Sequence, residues 1–522
     1  MKLNISQLLL NGIAAHKEGK LEEAKKLYNS ILEVEPNHLD ANNNLGVALN
    51  RLGKLDEAEI CFKKVINLNP NMAEAHNNLG RILLEINKLS EAEASFIKAA
   101  TLKPDYLSAY YNLGVTLIKL QKFQKAEAIL KKALELKPDH LNAQYSLGVV
   151  LHNLNKLDEA IICFKKTLEM KLDHFEAQYS LGISLLATGK LDNAEASFKE
   201  VLKIKPDSFD AHNALGNIYL ELGRLEEAKA SLRKALKINP NYDLALYNLG
   251  LTLFTLKEYK SAAKEFGLTN YNNSKEFLLK CFFELNEQSN FYKHLDYLIN
   301  KNKNNALIGS LVSRAHIRYG VDKINPFCNE PLNYVLKTDL LAICDFKNTF
   351  AKNTKDILND NNIRKKYQTL LTKGMQTSGN VFSQMKDSTE EIKKIIYSEI
   401  EKYRIHFKGS NEGFLKNWPK DYYINGWIVS MKSGGNLSPH MHELGWLSGS
   451  VYINVPPKVK QDSGNLVVCI DTEISKKHKN SQKSIDVVTG SLCLFPSSLL
   501  HYTVPFESDE ERIVLAFDVM SK

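Results

Sequence analysis

The stretch NNNLGVALNRLGKLDEAEICFKKVINLNPNMAEA, residues 42–75, decides the fold of the first half of the chain. In both of its halves apolar residues return at three- and four-residue spacing, the mark of an amphipathic helix. Pro70, after "NLN", ends the second half, because proline has no N–H with which to continue the hydrogen-bond ladder. The unit reads helix, turn, helix.

The same unit recurs. Glycine stands at positions 12, 46, 80, 114, 148, 182, 216 and 250, each 34 residues after the last. Alanine keeps the same period from Ala24 to Ala262, and proline keeps it from Pro36 to Pro240, with Leu172 in the place of one proline. A glycine inside a helix costs about 1 kcal/mol relative to alanine. Its recurrence mid-helix, with the small alanines, predicts that two helices approach closely there. The histidines of this half obey the register as well. His38, His140 and His174 share one position, and His76 and His212 another, so they read as features of the repeat and not as a metal cluster.

This length and pattern resemble the tetratricopeptide repeat, with about eight units across residues 7–270. The resemblance implies a right-handed α-solenoid of stacked helix pairs whose concave face holds a peptide or another protein. The residue before each Leu-Gly is Asn44, Asn78, Asn112, Ser146, Ser180, Ala214 and then Asn248. Asparagine has no helix-propensity reason to recur there. In arrays such as that of the O-linked N-acetylglucosamine transferase a similar asparagine ladder holds peptide backbone. Asn44, Asn78, Asn112 and Asn248 are therefore expected partner-binding residues; the alternative is a polar residue copied by repeat duplication.

Composition narrows the classes. The 522 residues are 44% hydrophobic and 25% charged, enough for two or three domains with real cores. The net charge of +8 comes from 68 basic and 60 acidic residues spread along the chain, which supports no specific nucleic-acid function. The densest basic run, "KKHKNSQK" at 476–483, reads as a solvated loop between strands. Seven scattered cysteines form no Cys-x-x-Cys pair, which fits a reducing compartment. With no signal peptide and no membrane-length apolar run, the expectation is a cytoplasmic protein.

After Thr269 the period fails. Residues 271–345 still read as helical and are expected to cap the solenoid of residues 1–270 and link it to a second domain at 346–522. Pro326 and Pro331 break helix on the approach to that domain. There Ser388 and Glu391 suggest a capping box, and Ile392, Ile395, Ile396, Ile400 and Tyr403 form a stripe predicted to cover a sheet. Six strand-like runs come next: "DYYINGWIVSM", "GWLSGSVYINV", "GNLVVCI", "GSLCLF", "HYTV" and "RIVLAFDV". Short strands with turns and no helices between them indicate an antiparallel sandwich or barrel.

His440 and His442, in "SPHMHELG", are two apart, and on a strand they would face one side together, with Glu443 turned away. His501 opens "HYTV" and Arg512 opens the next strand, so the two are expected to face one cavity from adjacent strands. Three imidazoles on one side suit iron and leave positions open for an organic acid and dioxygen. Arginine suits the far carboxylate of such an acid.

The set "SPHMHELGWLSGSVYINVP", "SGNLVV", "GSLCLFPSSLLHYTVPF" and "ERIVLAF" resembles the family known as putative 2-oxoglutarate-Fe(II) oxygenases, over roughly residues 420–520. The resemblance implies a double-stranded β-helix (jelly-roll) core with flanking helices, Fe(II) and 2-oxoglutarate as cofactors, and hydroxylation of a protein or peptide recruited by the repeats. It makes His440 the proximal ligand, His501 the distal one, and Arg512 the 2-oxoglutarate anchor. Most such enzymes carry His-x-Asp or His-x-Glu, yet here His442 fills the carboxylate's place. Either His442 ligates, giving a three-histidine site, or Asp471 supplies the third ligand, or the metal is lost and the domain is a scaffold. An iron dioxygenase that does not use 2-oxoglutarate is a further alternative. Ser448 and Tyr452 lie near enough in sequence to donate hydrogen bonds to a bound acid. Trp427 reads as core or as a stacking platform, and Cys469 and Cys493 as small core residues. Val514 and Ala516 share Arg512's face and leave room for a cavity; Ile513, Leu515 and Phe517 face the other way.

Overall fold

The computed structural model describes residues 4–360, 363, 365–366, 370–472 and 481–522. It divides into two compact units, Met1–Leu256 and Lys257–Lys522. The first five residues of the basic run at 476–483 lie outside the described residues.

In the first unit a 13-residue helix alternates with one of 14 residues, as in Leu39–Arg51 followed by Leu55–Leu68 and Ala73–Glu85 followed by Leu89–Leu102. The register glycine of each first helix faces a large side chain of the second. A Cβ at Gly46 would stand 2.9 Å from the Phe62 ring, one at Gly80 2.7 Å from Phe96, and one at Gly148 2.6 Å from Phe164. These distances are below van der Waals contact, so glycine is what lets a fully buried ring fill the space between helices.

A second periodicity lies in the turns. Residues 19, 53, 87, 121, 155, 189, 223 and 257 all have positive φ, as Gly at four of them, Asn at two, and Gln121 and Lys257 at the others. A left-handed residue just past a helix satisfies its last carbonyls. The repeat histidines act locally, as expected. Nδ1 of His38, His140 and His174 accepts the N–H of Ala41, Ala143 and Ala177 to cap a helix, and Nε2 of His76 and His212 meets the carbonyls of Pro70 and Pro206.

Charge stitches neighbouring repeats. Glu59 takes Lys63 from its own helix at 2.6 Å and Lys88 from the next repeat at 3.1 Å. Glu127 does the same with Lys131 at 2.7 Å and Lys156 at 2.8 Å. The lysines, led by Lys63 and Lys131, hold both carboxyls below their ordinary value.

The second unit opens with helices Tyr259–Leu268, Ser274–Glu284, Gln288–Asn300 and Ala306–Tyr319, the last closed by Gly320. Its strands are β1 (Leu336–Asp339), β2 (Lys365–Lys366), β3 (Leu371–Thr377), β4 (Tyr422–Leu437), β5 (Leu447–Asn454), β6 (Leu466–Cys469), β7 (Gln482–Ile485), β8 (Ser491–Pro496), β9 (Leu500–Thr503) and β10 (Arg512–Ser521). Seven form one antiparallel sheet in the order β1-β8-β5-β10-β4-β3-β2, and three form a second in the order β7-β6-β9. β1 precedes residue 346 and is paired with β8, so the sheet draws on chain upstream of the expected domain start.

The central strand β10 sorts the two faces. Ile513, Leu515 and Phe517 join the cluster that contains Ile392, Ile396, Ile400 and Tyr403, so helix Lys386–His406 covers the outer face as its stripe predicts. The capping box is not formed: the helix begins at Lys386, and Ser388 lies inside its first turn. Arg512, Val514 and Ala516 look inward across the cavity toward Leu466, His501 and Thr503 of the small sheet.

The repeat packing and the charge stitches can each be tested. Gly80→Leu should lower stability by about 1–3 kcal/mol through overpacking against Phe96, seen as a lower urea midpoint by circular dichroism; an unchanged midpoint would show that the helices are not held apart by that ring. Glu127 is depressed in the folded state, so its contribution is present above the ordinary carboxyl value of 4.5 and is lost as pH falls through its lower folded value. The stability gap between wild type and Glu127→Gln should therefore narrow below about pH 4.5, and a gap constant with pH would contradict this.

Candidate metal centre

Three histidines meet at one end of the inward face. His440, His442 and His501 each offer a ring nitrogen within 4.8 Å of the others. His440 and His501 are held by backbone: each donates its N–H to the other's carbonyl, at 3.1 and 2.8 Å, in an isolated bridge between the chain beyond β4 and β9. His442 is held differently. The expectation that it shares a strand with His440 does not stand, because β4 ends at Leu437 and His442 lies in the loop before β5. Its direction is set by a side-chain contact, Nδ1 to Asp518 Oδ1 at 2.7 Å.

The hydrogen bonds determine the tautomers. His440 Nδ1 lies 2.9 Å from the Ser438 carbonyl, which can only accept, so Nδ1 carries the hydrogen and Nε2 a lone pair. Asp518 imposes the same on His442. The two Nε2 atoms then face each other at 3.3 Å. Two lone pairs so placed need a proton or a cation between them. Burial, then the neighbouring His442, pushes His440 down to about 4, and burial holds His501 well below the ordinary imidazole value, so a proton on either of these two rings is disfavoured. Nitrogens about 2.0–2.1 Å from one first-row ion would stand roughly 3 Å apart, close to the 3.3 Å between His440 and His442. His501 Nδ1 is buried without a hydrogen-bond partner. The donor set fits a metal ion.

The other end of the cavity is cationic. Arg512, 1% exposed, lies 5.0 Å over the Tyr452 ring, donates from Nη2 to the Gly464 carbonyl at 2.9 Å, and leaves Nε with no partner. No carboxylate pairs with it among the described residues. A buried guanidinium so placed awaits an anion. Arg512 and His501 do line one cavity, as expected, but not from adjacent strands: β9 belongs to the small sheet and β10 to the large one. The free volume of the cavity is about 50 Å³, tighter than the roughly 300–1,000 Å³ of most small-molecule sites. A second, more open cleft shares Trp427, Leu437, His440 and His442 with it and adds Gln376, Asn425, Met441, Leu444 and Met520.

The remaining expected residues divide between the cavity and its surroundings. Tyr452 and Ser448 both line the inner cavity, but Ser448 Oγ is already engaged with Asp518 at 2.8 Å and Ser497 at 2.8 Å. Asp471 stands outside the histidine cluster, with Arg314 Nε at 3.1 Å from its carboxylate. Glu443 lines the outer cleft beside His442 and is paired with Lys280 at 2.5 Å. Trp427 lines both cavities and meets the His442 ring edge-on at 5.2 Å. Cys469 and Cys493 are buried. Asn44 and Asn78 are half-buried, while Asn112 and Asn248 donate to Asn77 and Asn213 of the preceding repeat, each at 3.1 Å. Asp518 is not singled out by any sequence motif, although strand alternation from Arg512 through Val514 and Ala516 reaches it.

Residues 425–518 match the family described as "Putative 2OG-Fe(II) oxygenase". Residues 37–245 match the tetratricopeptide-type model of the "Cilia and flagella-associated protein 70 C-terminal domain". Among solved structures, YrrB, described as a TPR protein with an unusual peptide-binding site, is 30% identical over 35% of this chain and 95% of its own, with a TM-score of 0.33. A tetratricopeptide repeat protein from Parabacteroides merdae is 20% identical over 48% of this chain and 98% of its own, with a TM-score of 0.36. No curated protein matches the chain. The chain belongs with the tetratricopeptide repeat proteins, and its C-terminal region carries a domain matching the 2OG-Fe(II) oxygenase family. That family implies Fe(II) and 2-oxoglutarate. No helix among the described residues is long and apolar enough to cross a membrane.

His501→Ala should abolish stoichiometric iron binding, measured by elemental analysis after anaerobic loading. Full iron content in that variant would show that the three imidazoles are not a ligand set.

Proposed function

We propose that the C-terminal domain is an Fe(II)- and 2-oxoglutarate-dependent dioxygenase that hydroxylates a protein or peptide recruited by the repeats. The observation that carries the reading is the pairing, across one buried cavity, of converging imidazole lone pairs with a buried guanidinium that has no counter-ion among the described residues. His440, His442 and His501 would hold the metal. When bound, Fe(II) supplies the activation of dioxygen. The chain's own residues do the rest. Arg512, with Tyr452 under its guanidinium, grips the distal carboxylate of 2-oxoglutarate and fixes which end of that acid points toward the histidines. Val514, Ala516 and Leu466 line the passage with apolar surface that keeps water from the Arg512 site. The substrate side chain enters from the open cleft, past Gln376, Asn425 and Met441. Asn44, Asn78, Asn112 and Asn248 are the proposed contacts to the recruited chain, within a solenoid of residues 1–270; of the helical link at 271–345, β1 goes with the oxygenase domain of residues 346–522.

One observation favours a second reading: no carboxylate joins the ligand cluster among the described residues. This leaves room for a three-histidine iron dioxygenase in which Arg512 holds a substrate carboxylate.

Anaerobic Fe(II) protein mixed with 2-oxoglutarate should develop the weak visible charge-transfer band of the chelated acid. The band should weaken in Arg512→Ala while iron content holds. Iron without a band would favour the second reading, and no iron binding would make the domain a scaffold.

A further inference from the structure

We infer that Asp518 is the positioning residue that makes His442 a ligand, supplying from one hydrogen bond away the negative charge that a His-x-Asp pair would place on the metal itself. The inference rests on the metal-site reading above. Position 442, where most such enzymes have the carboxylate, is histidine here, yet a carboxylate has not left the site. Asp518, 5% exposed, sits on the inward face of β10 with Oδ1 2.7 Å from His442 Nδ1.

Its environment is specific to this task. Oδ1 also accepts the Ser448 hydroxyl at 2.8 Å, and that serine shares a hydrogen bond of 2.8 Å with Ser497, so the carboxylate is fixed from a second direction. No lysine or arginine pairs with it among the described residues, whereas Glu443 of the adjoining cleft is taken up by Lys280, and Asp471, which lines neither cavity, by Arg314. The loop bearing His442 closes directly over it. A Cβ at Gly445 would come within 3.1 Å of Asp518 Cγ and 2.7 Å of Ser497 Oγ, and the Trp446 N–H donates to the Val519 carbonyl at 2.8 Å.

The dependence is unequal among the three histidines. His440 and His501 are held by a mutual backbone bridge and would keep their places without Asp518. His442 has no strand to hold it. A neutral imidazole left free to swap tautomers would spend part of its time with a hydrogen on Nε2, aimed at the metal position. Asp518 Oδ1, accepting the Nδ1 hydrogen, removes that state and makes the ligating nitrogen more basic.

The test uses the full-length protein and Co(II), with affinity read by competition against a chelator and the ligand field read from the visible spectrum. Asp518→Asn keeps the shape and removes the charge. It should weaken Co(II) binding about 10–100-fold, while Asp471→Asn leaves affinity unchanged. A second variant guards against a merely structural loss. His442→Asp alone would crowd two carboxylates together, whereas His442→Asp with Asp518→Asn moves the charge onto the metal. The double variant should bind Co(II) more tightly than either single one, which a packing defect at 518 does not predict. Wild-type affinity in a folded Asp518→Asn protein, or a double variant weaker than both singles, would overturn the inference and leave the metal site standing. A wild-type protein that binds no Co(II) would overturn both together.

Discussion

A buried guanidinium that no carboxylate pairs with among the described residues is the constraint around which the β-domain is arranged. Arg512 is among the most deeply buried side chains of the protein, and it donates to a backbone carbonyl and lies over an aromatic face. Such burial works against the charged form, so it persists only because β10 is locked between β4 and β5. That central position dictates what else the strand can do. Its outer face must be apolar, and helix Lys386–His406 must cover it. Its inner face runs from a cation at Arg512, over Val514 and Ala516, to an anion at Asp518, with the histidines near the anionic end. One strand thereby places a buried cation at one end of the cavity and a carboxylate against His442 at the other.

The repeats obey another logic. Their specific contacts are steric and recur with the period, glycine against an aromatic ring or a leucine, where a missing side chain on one helix is filled by a large one on the other. Charges enter only as stitches between neighbours, as at Glu59 and Glu127. The first unit is built from one local solution repeated, and the β-domain from pairings that occur once.

This difference explains how legible each half is in the sequence. The solenoid is legible because its determinants lie within 34 residues and recur, glycine and alanine eight times each. The turn register, filled by Gly, Asn, Gln and Lys, is hidden because the left-handed conformation tolerates several residue types. In the β-domain six strands and the covering helix stand out by pattern, whereas β1, β2, β3 and β7 do not. These are short, or broken by charged and glycine residues, as in "LTKGMQT" of β3. The capping box fails because Ser388 matches a motif while the helix begins before it.

By itself the sequence determined the repeat unit, the alternation that separates the two faces of β10, and the identity of the three histidines and the arginine. These are matters of local period and residue chemistry, which need no partner to be recognised. Only the tertiary structure decided that His442 leaves the strand, that His501 and Arg512 approach from different sheets, and that Asp518, 76 residues from His442, orients it. The physical reason is that a tautomer, a lone-pair direction and an unpaired buried charge belong to no residue alone. Each is set by which groups the pairing of distant strands brings within hydrogen-bond reach.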